Sequence, residues 1–261
     1  MDRDAPTAPA GPAPVRARLY VSEPLAAGAT IGLAPTQAHY LRHVLRLSAG
    51  ERIALFNGRD GEWEAAIAGF GKGWASVEVA RRRRAQRAEP DLWLLFAPVK
   101  RARIDYLVQK AAELGVSVLQ PVFTEYTAVG RVNGERLAAN AVEAAQQSGR
   151  LSVPEVRAPV PVMEALGAWP AGRRLLWCDE SGGGAPVAAA LAGAARGGPW
   201  AVLIGPEGGF APAELDAIRK LPFVTAVSLG PRLLRADTAA VAALACWQAW
   251  LGDWRDATPD A

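Results

Sequence analysis

Two glycine-bearing segments in the C-terminal third have the residue types to hold a ligand. One reads Leu203-Ile204-Gly205-Pro206-Glu207-Gly208-Gly209-Phe210; the other reads Ser228-Leu229-Gly230-Pro231-Arg232-Leu233-Leu234-Arg235-Ala236-Asp237-Thr238. Each follows a short apolar run and precedes a helix-like stretch. Open α/β folds carry their ligand loops there, at the carboxyl ends of strands. Glycine allows the close backbone approach that such a loop needs. Arg232 and Arg235 end the second segment, and guanidinium groups suit phosphate or carboxylate. Glu207 and Asp237 are the nearest acids in sequence.

Other chemistries find no support in the residue pattern. Dinucleotide binding needs Gly-x-Gly-x-x-Gly at the opening of the first βα unit, and these loops come late and lack that spacing. There is no phosphate loop ending in Gly-Lys-Ser/Thr and no Gly-x-Ser-x-Gly nucleophile elbow. Both histidines, His39 and His43, lie in the N-terminal third, so a hydrolase triad near the loops lacks its base. Cys178 and Cys246 sit in apolar surroundings without metal-ligand spacing, so no metal site is expected and both read as buried thiols of a reducing cytosol. What remains is a ligand held by backbone groups in glycine loops with arginines alongside.

The elements that must position these loops form a βα pattern from residue 90 onward. Strands are expected at 91–97, 116–123, 174–178, 200–204 and 224–229. Helices are expected up to Leu114, over 135–147, and over 237–251 with Asp237 or Thr238 as cap. Short loops between such units imply a mainly parallel sheet covered by helices. Residues 15–88 differ. Short strand patterns at 18–21, 52–56, 62–67 and 74–79 are separated by Asn57-Gly58, Asp60-Gly61 and Gly71-Lys72-Gly73 turns. Between them, residues 36–47 have helical spacing. Tyr40, Leu41, Val44, Leu45 and Leu47 are placed inward, and Arg42 and Arg46 share a face. This predicts a small β-barrel with an inserted helix, followed by a linker over 81–90.

The 261 residues are 51% apolar and 21% charged, which describes a globular chain with ample core. No run is apolar and long enough for a membrane helix, so no membrane partner and a cytoplasmic location are expected. Residues 1–14 carry four prolines and no signal-peptide core and read as a disordered tail; 256–261 form a second tail. The net charge is only +3, but arginine is concentrated in the first ninety residues, including Arg81-Arg82-Arg83-Arg84. That favours a nucleic-acid partner modestly over a solvated surface.

Taken together, these segments resemble the bacterial 16S ribosomal RNA uracil-N3 methyltransferases, the small-subunit methyltransferase E family of the SPOUT class. The likeness runs through Arg18-Leu-Tyr-Val, His39 to Arg46, Gln109-Lys110-Ala-Ala-Glu113-Leu114-Gly115-Val116, Gln147-Ser148-Gly149-Arg150, Val153-Pro154-Glu155-Val156 and both glycine loops. The resemblance implies an α/β domain over 89–255 with a deep trefoil knot, one of the rare exceptions to unknotted topology. It also implies a PUA-like β-barrel over 15–88 that helps hold RNA, and a homodimer. The implied reaction is S-adenosylmethionine-dependent methylation of uracil N3 in 16S rRNA of the small subunit. Alternatives are a SPOUT enzyme acting on another rRNA or tRNA position and a non-catalytic ribosome-assembly factor.

The resemblance carries roles to particular positions. Leu203, Ile204, Gly205, Pro206, Glu207, Gly208 and Gly209 would wall the cofactor pocket, with Leu176 to Asp179 as a less distinctive third wall. Ser228, Leu229, Gly230, Leu233, Leu234 and Thr238 would complete it. Arg235, Arg232 and Glu207 are the catalytic candidates. Arg18, His39, Arg42, Arg46, Lys100, Lys110 and Arg150 are candidates for RNA contacts, although His39 could equally be a barrel residue, and Arg42 and Arg46 a solvated helix face. Three positions depart from the family pattern: Gln146 and Asp237 stand where Glu is usual, and Tyr126 stands where Arg is usual.

Overall fold

The computed structural model describes residues 15–255, so the proposed tails at 1–14 and 256–261 lie outside the described residues. The chain divides into two compact units between Arg87 and Ala88.

The first unit is a mixed five-stranded sheet. Its strands are β1 (Arg18–Tyr20), β2 (Thr30–Leu33), β3 (Arg52–Phe56), β4 (Glu62–Gly71) and β5 (Trp74–Arg84), in the spatial order β1-β3-β4-β5-β2. Only β1 and β3 pair in parallel. Gly71 faces Trp74 across a two-residue turn, with Gly73 at φ 76°. Register irregularities between Glu62 and Gly69 bend the β4–β5 ribbon. Leu19 from one edge strand and Ile31 and Leu33 from the other therefore share one core with Ile53, Leu55, Ile67 and Val77.

The arginine run is not a linker. Residues 81–84 finish β5, opposite β4, where Glu62 and Glu64 are buried at 3% and 4% exposure. Glu62 accepts from Arg18 at 2.5 Å and Arg84 at 2.8 Å and lies 3.3 Å from Arg83; Glu64 accepts from Arg52 at 2.5 Å and Arg81 at 3.2 Å. Burial opposes the charge on Glu62, but Arg84 and Arg18 outweigh it and hold the carboxyl below the usual range. The helix also differs from its periodicity. It is α1 (Pro35–His39), continued by a π-helical turn over Tyr40–Val44. The wider turn keeps Leu41 and Leu47 buried but leaves Tyr40 and Val44 at 41% and 60% exposure. Arg46, at φ 57°, has already left the helix, so it does not share a helical face with Arg42.

The second unit is a parallel sheet between helices. Its long strands are β6 (Leu92–Phe96), β7 (Val118–Phe123), β10 (Arg174–Cys178), β12 (Trp200–Ile204) and β13 (Val224–Ser228). The short ones are β8 (Glu155–Val156), β9 (Val160–Pro161) and β11 (Ala185–Pro186). The order is β11-β13-β10-β12-β6-β7-β8, with β9 beside β7. Alternate residues face opposite layers, as the pleat requires. Leu94, Phe96, Val202 and Ile204 meet α2 (Arg101–Glu113), α3 (Gly134–Ser148), α5 (Val187–Ala192) and α7 (Ala236–Trp250). Leu95, Ala201, Leu203 and Trp177 meet α4 (Val162–Gly167) and α6 (Pro212–Arg219).

Helix ends follow local chemistry. The Asn133 carboxamide accepts the Arg136 N–H at 3.0 Å, and α3 stops at Gly149 with φ 78°. α7 differs from expectation: its N-cap is Arg235, and Asp237 and Thr238 lie in its first turn. Two buried arginines brace the unit. Arg150 donates to the Ala112 and Val116 carbonyls at 2.7 and 2.8 Å and pairs with Glu89. Arg173 lies 3.7 Å from the Trp93 ring centre, donates to the Trp200 carbonyl at 2.8 Å and pairs with Asp91 at 2.7 Å. Among the described residues no helix is long and apolar enough to cross a membrane.

Glu62→Ala leaves three arginines without their shared carboxylate and should destabilise the first unit by about 3 kcal/mol. Hydrogen exchange should show lost protection in β4 and β5 with β10 and β12 unchanged. In the unaltered protein the same protection should weaken as pH falls. A carboxyl held below its ordinary value contributes stability that is complete at neutral pH and is lost as it protonates.

Candidate active site and cofactor cleft

Parallel pairing aligns the carboxyl ends of three neighbouring strands. Trp177 of β10 sits opposite Leu203 of β12 and Ala226 of β13, so the chain leaves all three strands at one edge. The loops that follow border a cleft of about 770 Å³, within the roughly 300–1,000 Å³ range of small-molecule sites. Ile204, Gly205, Pro206 and Glu207 line one side; Ser228, Leu229, Gly230, Leu233 and Leu234 line another, together with Arg232 and Arg235. Cys178, Asp179, Glu180 and Gly182 supply the third.

Side-chain packing sets the first glycine loop. Phe210 is buried at 5% exposure and meets Trp177 edge-on at 5.8 Å. A Cβ on Gly205 would lie 2.5 Å from the Phe210 ring, so glycine there is a packing requirement. Gly209, at φ 74°, closes a turn by donating its N–H to the Pro206 carbonyl at 3.0 Å. Glu214 then holds the start of α6, accepting the Ala211 N–H at 2.9 Å and the Glu125 N–H at 3.0 Å. In the third loop, a Cβ on Gly184 would collide with the backbone of Val227.

The charged groups at the cleft differ in their commitments. Burial works against the charge on Asp179, but the Ser181 hydroxyl and amide and the Arg219 guanidinium outweigh it and hold the carboxyl low. Glu207 pairs with Arg103 and lies 3.9 Å from Arg235, whose side chain is 71% exposed. Glu180 accepts the Phe210 N–H, and its carboxyl is raised by desolvation first and by neighbouring Asp179. Cys178 is buried and its thiol is pushed up to about 12, so it is protonated and no nucleophile at neutral pH. Its relative Cys246 is only partly buried. Among the described residues no cluster of three or more metal-binding side chains occurs.

Several expected site residues lie elsewhere. Leu203 and Leu176 are fully buried core residues: pleat alternation turns Leu203 to the face opposite Ile204, while Leu176 shares the face of Cys178 and lies one pleat deeper in the strand. Gly208 and Gly209 lie off the cleft; a Cβ on Gly208 would meet Tyr126, and one on Gly209 would meet the Glu180 carboxylate. Thr238 is exposed in the first turn of α7 and does not line the cleft. Asp237 beside it has a buried Oδ1 with no hydrogen-bond partner among the described residues.

The cations proposed for RNA also separate. Arg150 is a structural brace, its side chain 7% exposed and engaged by Glu89 and two backbone carbonyls. Arg18 is committed to Glu62 and to the Phe56 ring at 4.6 Å. Lys110 is paired with Glu113 at 2.7 Å. Lys100 is exposed at the start of α2. Arg42 is exposed over the Phe70 ring at 5.8 Å, Arg46 is exposed, and the His39 and His43 rings lie 4.8 Å apart. Cys178 and Asp179 of the expected third wall do line the cleft, whereas Glu180, the next residue, is not among the expected site residues. The one sequence signal for Glu180 is a strand followed by Gly182-Gly183-Gly184, the same pattern in weaker form.

Comparison with known proteins gives this geometry a family. The RNA methyltransferase domain matches residues 87–248, well over half of the chain, and the RNA methyltransferase PUA domain matches residues 33–79. A protein of Rickettsia conorii named ribosomal RNA small subunit methyltransferase E is 30% identical over 229 residues, covering 87% of this chain and 93% of its own. Its Synechocystis namesake is 31% identical, covering 87% and 76%. The Neisseria gonorrhoeae enzyme of that name, crystallised with S-adenosyl methionine, superposes with TM-score 0.81 at 29% identity, over 91% of this chain and 99% of its own. A Legionella pneumophila protein solved with the same cofactor gives 0.78 at 30%, over 90% and 98%. The chain therefore belongs to the RNA methyltransferase domain family, with an RNA methyltransferase PUA domain preceding the α/β unit.

Proposed function

We propose that this protein uses S-adenosylmethionine to methylate N3 of a uridine in 16S rRNA. The observation that carries the reading is the cleft at the ends of β10, β12 and β13, with its exposed arginines at the mouth. Its residues fit the cofactor. Apolar Ile204, Val227, Leu229 and Leu234 suit an adenine ring, backbone groups of the two glycine loops supply donors and acceptors, and carboxylates suit a cationic ligand. Bound there, the cofactor supplies a methyl group made electrophilic by its sulfonium.

The chain's own task is alignment and charge stabilisation. Uracil N3 gains its lone pair by losing the imino proton, and the negative charge then spreads to the ring oxygens. Arg235 is placed to hold that charge, with Arg232 beside it for phosphate. Glu207, already engaged with Arg103 and Arg235, orients Arg235. The proton passes to water. N3 lies on the pairing edge, so the uridine must be unpaired or flipped out before reaction.

In the first unit, Arg42 and Arg46, with His39, provide the RNA-facing charge, since the arginines of β3 and β5 at 52, 81, 83 and 84 are engaged by Glu62 and Glu64. We further propose a homodimer that covers Leu233, 89% exposed on the cleft loop, and the trefoil knot implied by the resemblance. Light scattering tests the first. A crystallographic trace through residues 175–250 tests the second.

The deciding experiment is incubation with labelled S-adenosylmethionine and small ribosomal subunits lacking the modification, followed by nucleoside mass spectrometry. 3-Methyluridine is expected; another methylated nucleoside moves the target, and binding without product leaves an assembly factor. Arg235→Ala should lower kcat by about 100-fold while changing cofactor Kd little, as for loss of a charge-stabilising donor; an equal loss of cofactor binding would move Arg235 to the cofactor. Removing Arg42 and Arg46 should weaken RNA binding and flatten its salt dependence by roughly one unit of slope per charge. An unchanged slope makes them a solvated face.

A further inference from the structure

Three carboxylates border the cleft, and two of them are already matched by cations. Asp179 lies 3.2 Å from Arg219 and accepts the Ser181 hydroxyl at 2.6 Å and amide at 2.9 Å. Glu207 faces Arg103 and Arg235. Glu180 is different. It accepts only backbone N–H groups, its own and that of Phe210, and no ion pair reaches it among the described residues. Its Oε1 lies 2.8 Å from where a Gly209 Cβ would be, so the carboxylate lies against the glycine loop while its side chain stays open to the cleft. Its carboxylate is partly desolvated and has no cation beside it, so a ligand that brings positive charge into the cleft is favoured there. The charge of neighbouring Asp179 adds to that demand.

We infer that Glu180 is the cation-recognising residue of the cleft, favouring the sulfonium-bearing cofactor over the neutral thioether that remains once the methyl group has left. This rests on the cleft being the S-adenosylmethionine site. Methyl transfer breaks the sulfur–methyl bond, leaves the bonding electron pair on sulfur and converts sulfonium to thioether, so the positive charge that Glu180 holds disappears with the reaction. The amino-acid ammonium and carboxylate are common to cofactor and product. Discrimination between the two therefore reports on the sulfonium alone. The product is weakened in place, and its release needs no separate movement of the glycine loop.

Glu180→Gln separates charge from packing, because the carboxamide oxygen can still accept the Phe210 N–H. Titration calorimetry would compare S-adenosylmethionine, S-adenosylhomocysteine and sinefungin, in which an ammonium-bearing carbon replaces the sulfonium. The unaltered protein should bind both cationic ligands roughly tenfold more tightly than the neutral one, the scale of one charge-assisted contact. Glu180→Gln should collapse that ratio while leaving S-adenosylhomocysteine affinity nearly unchanged. Equal weakening of all three ligands would overturn the inference, making Glu180 a loop latch or an ammonium contact. A preserved ratio would overturn it as well. Should the variant fail to fold, the unaltered protein decides: S-adenosylhomocysteine held as tightly as sinefungin refutes the idea. If the unaltered protein binds none of the three, the assignment of the cleft fails first, and that result is distinct from the others.

Discussion

Parallel hydrogen bonding of β13, β10 and β12 is the constraint on which the site depends. Segments far apart in sequence, ending at Cys178, Ile204 and Ser228, are brought to one sheet edge because parallel neighbours must point the same way. Their crossovers then have to lie on the sheet faces. This explains why α4 and α6 cover one face while α2, α3, α5 and α7 cover the other. It also explains why the strands read as continuous apolar runs. Both faces are buried, so neither residue parity can be polar.

Charge is used differently in the two units, and composition alone hides the difference. In the first unit, most arginines of the sheet serve two buried glutamates on one strand, a compact ionic cluster that fixes β4 against β5. In the second, Arg150 and Arg173 satisfy backbone carbonyls at strand and helix ends where regular hydrogen bonding stops. The cations left for a ligand are fewer than the count suggests. Among them are exposed cations at the π-helical turn, at the start of α2 and at the mouth of the cleft.

The sequence signals that worked were the ones with a strong physical cause. Apolar runs bounded by turn residues mark Arg52–Phe56, Arg174–Cys178 and Trp200–Ile204 as strands, because a fully buried strand tolerates nothing else. Gly149 marks a helix end because it adopts φ 78° there. Weaker causes misled. Four consecutive arginines look like a linker unless Glu62 and Glu64, two apart on the facing strand, are read with them. The 3.6-residue period places Tyr40 and Val44 inward, but a π turn rotates them out. At the site, the glycine loops are legible, while Leu203 is not distinguishable from Ile204 without knowing which pleat parity faces the cleft. Glu180 was missed because an acid just past the end of a strand has no signature until its surroundings are seen to hold no cation among the described residues.

The contact between Gly205 and the Phe210 ring has a consequence for how this loop can diverge. Any side chain at 205 needs the space the ring fills, and the ring is held by Trp177 beneath it. The three positions form one steric unit, so a substitution at 205 is tolerated only alongside a smaller residue at 210. Glu207 and Gly208, exposed at the loop's outer bend, are held by other contacts: Glu207 by its arginines and Gly208 by the nearness of Tyr126. The two ends of the loop should therefore change together or stay fixed, as one steric unit independent of its tip.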